Sequence, residues 1–168
     1  TVTYDGNEHF VDITNPNNSD YLYVVIDREN NVGNIVLEDD LNSLLAALEK
    51  ALGHELPKSI DVGELMSAID IVLTAAESYE DLPVTAAAAL TKLREVLAQL
   101  PQSGTITING KNPVDVGKYE IYAITYSLEY VTQASKGVLE ILPIEIEVIV
   151  DSASKVYGDA DPELTYSV

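Results

Sequence analysis

The chain has 168 residues, enough for one medium domain or for one domain and part of another, and 46% of them are hydrophobic, which suffices for a packed core. Its 28 acidic residues against 9 Lys and Arg give a formal charge of −19, which argues against nucleic acid and anionic membrane surfaces as partners. Cysteine is absent, which excludes a disulfide scaffold, a thiolate zinc site and a cysteine nucleophile, and no apolar run reaches the roughly 18–20 residues that span a bilayer.

Residues 1–36 are predicted to form strands joined by turns. Asp5-Gly6 is a strong turn dipeptide, and the Asn- and Pro-rich stretch 15–20 has the composition of a loop. A further turn is predicted at 30–34. The predicted strands are Thr1–Tyr4, Phe10–Thr14 and Tyr21–Ile26.

Residues 37–103 are predicted to form three helices, because apolar residues recur there at amphipathic helical spacing. Gly53 and Pro57, then Pro83 and then Pro101 interrupt the pattern. Asp61, followed three residues later by a glutamate, resembles a capping box. Helices of this length with short links are expected to bury a common seam as a small bundle. The three stripes are Leu41, Leu44, Leu45, Leu48 and Leu52; Leu65, Ile69, Val72, Leu73 and Ala76; and Ala86, Ala89, Leu90, Leu93, Leu97 and Leu100.

Residues 104–142 return to a strand pattern. Thr105–Ile108 ends at Asn109-Gly110, a dipeptide that predicts a hairpin. Tyr119–Thr125 alternates with period two, and Gly137–Leu142 is a further strand. After Pro143, the segment 144–150 alternates Ile or Val with Glu over its first half, which is typical of a half-exposed strand.

The helices therefore interrupt a unit made of strands. Two separate domains would give the same order of elements, but 1–36 alone offers too few strands to close a core. Insertion of the helices between the two halves of one β domain is the favoured interpretation.

Several short motifs occur in an order that carries a family likeness. Tyr4–Gly6 gives the turn Tyr-Asp-Gly, Val116–Tyr119 gives Val-Gly-x-Tyr, and Gly137–Ile141 gives Gly-x-Leu-x-Ile. Tyr157–Pro162 matches the opening of a following copy. The chain resembles in these motifs the YDG-type and MBG-type tandem domains of bacterial surface adhesins, which are similar to the β-grasp units of mucus-binding repeats. The resemblance covers roughly 100 residues, and the helical block has no counterpart in the ordinary module.

The resemblance implies a fold class and a domain division. The predicted fold is α+β: a β-grasp-like, mostly antiparallel or mixed sheet at 1–36 and 104–142, interrupted by a three-helix bundle at 37–103. Residues 143–168 are expected to supply the leading strand and turn of the next repeat, packed on a sheet.

The resemblance also implies a function. We expect a non-enzymatic module of an extracellular protein of the bacterial cell surface or wall, acting as a stalk or spacer. An alternative is an adhesion module in which the helical insert recognises the ligand, since insertions in repeats often lie on a working face. A hydrolase of surface glycans is a more distant alternative.

Catalytic groups and metal ligands are sparse in the sequence. His9 and His54 are the only histidines and have no recognisable acid–base partner, so surface or capping positions are expected for both. The clusters 38–40 and 159–161 lack the spacing that wraps one calcium ion; helix-dipole complementation and a turn with local hydrogen bonds are the expected roles. No catalytic, metal or cofactor site is predicted, and no cofactor is expected.

Two further features bear on partners. Tyr79 and the tyrosine-rich strands could stack on a glycan, although ordinary sheet packing explains them as well, and the alanine run 86–89 is typical of close helix packing. The expected partners are neighbouring repeat modules of the same chain and a host glycoprotein, mucin or glycan, with no nucleic acid and no membrane insertion. The segment 144–150 is expected to add to this domain's sheet or to a neighbouring copy's, which would permit a strand-exchanged dimer.

Overall fold

The computed structural model describes residues 1–14, 20–37, 42–74, 84–126, 132–150 and 152–167. Within these ranges the chain forms a seven-stranded mixed sheet, three helices and a separate two-stranded sheet. The predicted α+β class is confirmed.

The large sheet takes six of its strands from the two segments predicted to form strands, 1–36 and 104–142, and one from the segment 37–103. Its spatial order is β1-β7-β6-β2-β3-β5-β4. The β1–β7 and β3–β5 pairs are parallel, and the other neighbours are antiparallel. In chain order the strands are β1 (Val2–Thr3), β2 (Asp20–Asp27), β3 (Val32–Val36), β4 (Ser59–Asp61), β5 (Thr105–Ile108), β6 (Gly117–Tyr126) and β7 (Ala134–Leu142).

The helices cover one face of this sheet. They are α1 (Asn42–Leu52), α2 (Val62–Thr74) and α3 (Val84–Leu97). Their buried side chains belong to the same cluster as those of one face of the sheet, including Leu22, Val24 and Ile26 of β2. Because alternate residues of a strand point to opposite faces, this alternation fixes which face of β2 the helices cover. The helices and the sheet thus share the larger hydrophobic core.

A smaller core lies on the opposite face of the sheet. It contains Val25, Tyr119, Ile121, Leu139 and Ile141. The N-terminal segment packs against it through Phe10 and Val11, and the ring of Phe10 lies 4.5 Å from that of Tyr23 between centroids. Strand β2 is therefore buried on both faces, which explains its nearly continuous run of apolar residues.

Four local predictions differ from the structure. Phe10–Thr14 forms no strand. Its side chains Phe10 and Val11 pack on the face of the sheet, and its main chain joins no strand of the sheet. Residues 32–34, expected in a turn, belong to β3, and the turn lies at 28–31. Asn109-Gly110 makes no hairpin, since β5 pairs with β3 and β4 and not with β6. Ser59–Asp61 is a strand within the segment predicted to be helical, and it pairs with β5.

The C-terminal segment differs from the expected strand addition. Ile149–Val150 (β8) pairs with Tyr166–Ser167 (β9) in the two-stranded sheet, not with this domain's large sheet. The edge beside Ile141 and Leu142 is already taken by β1. Addition to a neighbouring copy stays a prediction, as does the division into a β-grasp-like module at 1–36 and 104–142 and an insert at 37–103.

Candidate functional site

A cleft of about 240 Å³ lies on the sheet face opposite the helices. Val25 and Tyr119 of the smaller core are among the residues that line it. Its lining residues are Val25, Asp27, Val32, Gly33, Asn34, Thr107, Gly110, Lys111, Pro113 and Tyr119. Sites that enclose drug-sized molecules measure about 300–1,000 Å³, so this cleft suits a small ligand or one side chain of a partner.

One wall of the cleft depends on a reciprocal contact between Asn34 and Gly110. The Gly110 N–H donates to Asn34 Oδ1 at 2.9 Å, and Asn34 Nδ2 donates to the carbonyls of Gly110 at 3.1 Å and Lys111 at 3.2 Å. A Cβ at position 110 would lie 2.7 Å from the Thr107 methyl carbon and 3.1 Å from Asn34 Oδ1. Glycine is required there because the loop approaches the strand so closely.

Asn109 fixes the adjacent loop to the end of β3. Its N–H donates to Ile35 O at 2.7 Å, and its Oδ1 accepts from the Leu37 N–H at 2.8 Å. Its φ of 51° places it in the left-handed region that asparagine tolerates better than most residues. The hydrogen bonds of Asn109 thus link the end of β5 to the end of β3, its neighbour in the sheet.

Tyr119 and Asp27 form the polar part of the opposite wall, and both are already bonded within the protein. The Tyr119 hydroxyl donates to Asp115 O at 3.0 Å. Burial raises the pKa of this phenol, and the charges of Asp27, Asp115 and Glu29 raise it further, so it remains a donor. The Asp27 carboxylate accepts from the Asn30 N–H at 3.1 Å and from Asn30 Nδ2 at 2.7 Å. The hydrogen bonds within the protein therefore fix the positions of both polar groups in the cleft.

A second polar cluster surrounds Glu120 on the helix-covered face. Glu120 accepts from Arg28 Nε and from Lys136 Nζ, each at 2.6 Å. Tyr122 donates to Gln99 Oε1 at 2.9 Å, which connects β6 to the residues that follow α3. Burial raises the pKa of Glu120, but the bonds from Lys136 and Arg28 outweigh it, and the net pKa lies below its ordinary value. The arrangement holds a carboxylate in its charged form between two cations, which ties β6 to β7 and to the turn after β2.

The two histidines occupy separate surface positions. His9 Nε2 lies 2.8 Å from Asp5 Oδ1. His54 Nδ1 donates to Glu55 O at 2.8 Å, and its Nε2 lies 3.6 Å from Glu64 Oε1 with both side chains about half exposed. Neither histidine lines the cleft.

Comparisons with protein-family models, with curated proteins and with solved structures found no match to this chain. Its function is therefore inferred from its own motifs and geometry. None of the helices in the described ranges is long and apolar enough to cross a membrane.

The acidic clusters and the aromatic residue singled out in the sequence contribute little to a site. In the tail, Lys155 pairs with Asp161, and its Nζ also lies 3.4 Å from Asp159 O. The cluster 38–40 and Tyr79 lie outside the described residues. Within the described residues, no group of three or more His, Asp or Glu side chains is placed to hold a metal ion. The alanine run falls in α3, where Ala89 is fully buried.

Sequence reasoning did not identify the cleft or the Glu120 cluster. The cleft combines residues from β2, β3, β5 and the loop after β5, which meet only through long-range strand pairing. Glu120 did carry a signal, since an acidic residue stands between Tyr119 and Ile121 in a strand with period two. Its two cationic partners lie 92 and 16 residues away, which no local pattern indicates.

Proposed function

We propose that this chain is a non-enzymatic repeat module of a bacterial cell-surface adhesin, acting as a stalk or spacer. In this proposal the β-grasp-like module comprises 1–36 and 104–142, and the helices are its insert. The observation that carries the proposal is the placement of the first and last strands of the large sheet. They lie side by side and run in the same direction.

The contact between these two strands is made largely by main-chain groups. Val2 and Thr3 pair with Ile141 and Leu142, and the Tyr4 N–H donates to Leu142 O at 2.8 Å. Val2 also packs against the smaller core. A side-chain bond from Thr1 Oγ1 to Glu140 Oε2, at 3.3 Å, extends the contact by one residue.

This geometry suits a module that transmits tension along a chain. Force that enters at the N-terminus pulls β1 backwards along its axis, while force that leaves after Leu142 pulls β7 forwards. Because the strands are parallel neighbours, the two forces shear their hydrogen bonds together instead of opening them one at a time. The rate of forced unfolding then depends on this contact.

The turns near the two ends of the chain support a repeat boundary. Gly6 has φ +77° and Gly158 has φ +96°, so the Tyr-Asp-Gly and Tyr-Gly-Asp motifs each place a glycine at positive φ. In the tail, Val150, Val156 and Leu164 are each 68–75% exposed. Such apolar side chains are expected to be covered when the remainder of a following module is present.

Single-molecule stretching of the full chain through its two ends tests the stalk role. We expect one discrete unfolding event whose force falls in Tyr4→Pro, which removes the N–H that bonds Leu142. Tyr4→Ala is the matched control, since it removes the same ring and keeps the N–H, and it should retain the higher force. A chain that extends without a discrete event, or equal forces for the two variants, would contradict the proposal.

The cleft favours a second candidate, a ligand-binding adhesion module. Lys111 and Asp27 provide opposite charges in its lining, and Thr107 provides a hydroxyl. A mucin pull-down and a glycan array would compare Val32→Arg, which fills the cleft, with Ile71→Arg on α2. These positions are similarly exposed, at 38% and 48%. Loss of binding in Val32→Arg alone supports the cleft as the binding site. Loss of binding in Ile71→Arg alone supports recognition by the helical insert. No binding by the unmodified chain contradicts both.

A further inference from the structure

The outer edge of β7 is incompletely paired. β6 lies along one side of the whole strand, but β1 covers only Ile141 and Leu142 on the other side. Within the described residues, no strand pairs with the outer side of Ala134–Val138. Ala134, Ser135 and Lys136 are exposed, and Val138 is 47% exposed. A sheet edge of this length can accept another strand.

The segment that follows β7 has complementary properties. Ile144–Val148 makes no strand pairing or main-chain hydrogen bond with other described residues. Its apolar residues Ile144, Ile146 and Val148 are 52%, 70% and 53% exposed, and they alternate with two glutamates. That alternation is the pattern of a strand with one face covered and one face wet.

The segment cannot reach the edge of its own β7. Pro143 alone separates Leu142 from Ile144, and β1 occupies the adjacent position beside Ile141 and Leu142. A strand folding straight back would have to displace β1. The acceptor must therefore lie on another molecule.

We propose that Ile144–Val148 of a second copy of this chain adds to Ser135–Leu139 as an outer strand, reciprocally in a symmetric dimer. Ile146 lies opposite Gly137, on the face of the smaller core. A Cβ built at Gly137 would meet Val11 Cγ2 at 3.8 Å, so an Ile146 side chain that crosses Gly137 would pack beside Val11. The glutamates then lie on the face that carries Lys136, whose ammonium group bonds Glu120 and would also attract one of the incoming carboxylates.

Reciprocal exchange explains why the edge and the tail occur in the same chain. Each copy supplies one donor strand and one acceptor edge, so the contact is repeated by two-fold symmetry. Each chain carries a formal charge of −19, and added salt therefore favours the dimer by screening the repulsion between copies. This association does not depend on the stalk role, and the stretching experiment does not test it.

The absence of cysteine from the sequence allows a direct test by disulfide crosslinking. Full-length chains carrying Gly137→Cys are mixed with chains carrying Ile146→Cys under mild oxidation and separated without reductant. We expect the mixed pair to crosslink at least tenfold faster than Gly137→Cys mixed with Ala153→Cys, whose cysteine lies elsewhere in the exposed tail. Circular dichroism of each variant checks that it is folded.

Light scattering of the unmodified chain provides the second readout. The mass should approach twice 18.2 kDa as concentration and salt rise, and Ile146→Pro should return it to the monomer value while Ala153→Pro does not. A monomer under all conditions would overturn the proposal. Preferential crosslinking of Ile146→Cys chains to one another would also overturn it, because it would place tail against tail.

Discussion

Asn34 and Gly110 hold each other by hydrogen bonds in both directions across 76 residues of sequence. The asparagine belongs to β3, and the glycine belongs to the loop that leaves β5, the parallel neighbour of β3. One side-chain amide thus satisfies a donor and two acceptors of that loop. The contact shapes the cleft wall and fixes the path of the chain towards β6.

Asn34→Ala should destabilise the fold by about 1–3 kcal/mol, because the Gly110 N–H then loses its acceptor while remaining partly buried. Asn34→Asp keeps the acceptor for the Gly110 N–H but turns a carboxylate oxygen towards the carbonyls of Gly110 and Lys111, so its cost at neutral pH should be at least as large. Urea unfolding followed by circular dichroism measures the difference. An Asn34→Ala variant as stable as the unmodified chain would show that water replaces the amide without cost.

The parts of the fold that were predicted from sequence are those with a long periodic pattern. Tyr21–Ile26 is apolar throughout and proved to be the strand buried on both faces, and the leucine and isoleucine stripes marked α2 and α3. Ser59–Asp61 is too short to show a period, and its strand state depends on pairing with β5. Asn109-Gly110 correctly marks a change of direction, but a dipeptide cannot specify which strand comes to lie beside it.

Glu120 should make stability depend on pH in the acid range. Its folded-state pKa lies below the unfolded value of about 4.5, so its bonds to Lys136 and Arg28 contribute stability that is fully present above that value. The contribution is lost as the pH falls through the folded-state pKa. Glu120→Gln should cost about 1–2 kcal/mol at neutral pH, and the difference from the unmodified chain should shrink on acidification.

Asp70→Asn is the control for this pH dependence. The pKa of Asp70 is also lowered, by its hydrogen bond from Arg94, but the two side chains are 49% and 42% exposed. Solvent screening should make its effect on unfolding at neutral pH smaller than that of Glu120→Gln. A larger effect from Asp70→Asn would contradict the assignment of the acid sensitivity to Glu120.

Limited digestion with trypsin should begin after Lys155. That residue lies in the exposed tail, where the strand pairing among the described residues is confined to the short strands β8 and β9. Mass spectrometry of early time points should find fragments 1–155 and 156–168, and Lys155→Gln should abolish that first cut. First cleavage at Lys58 or Lys111 would indicate that loops of the main fold open more readily than the tail.

The helices and the large sheet should unfold together, because one buried cluster joins them. Leu93 of α3 and Ile124 of β6 are 1% and 0% exposed, and Leu93→Ala and Ile124→Ala should each cost about 2–5 kcal/mol. Far-ultraviolet circular dichroism reports the helices, and tyrosine fluorescence reports mainly the strands. We expect the two signals to change in a single urea transition and to shift together in both variants. Two transitions, with Leu93→Ala moving only the helical one, would instead show that 37–103 folds as an independent insert.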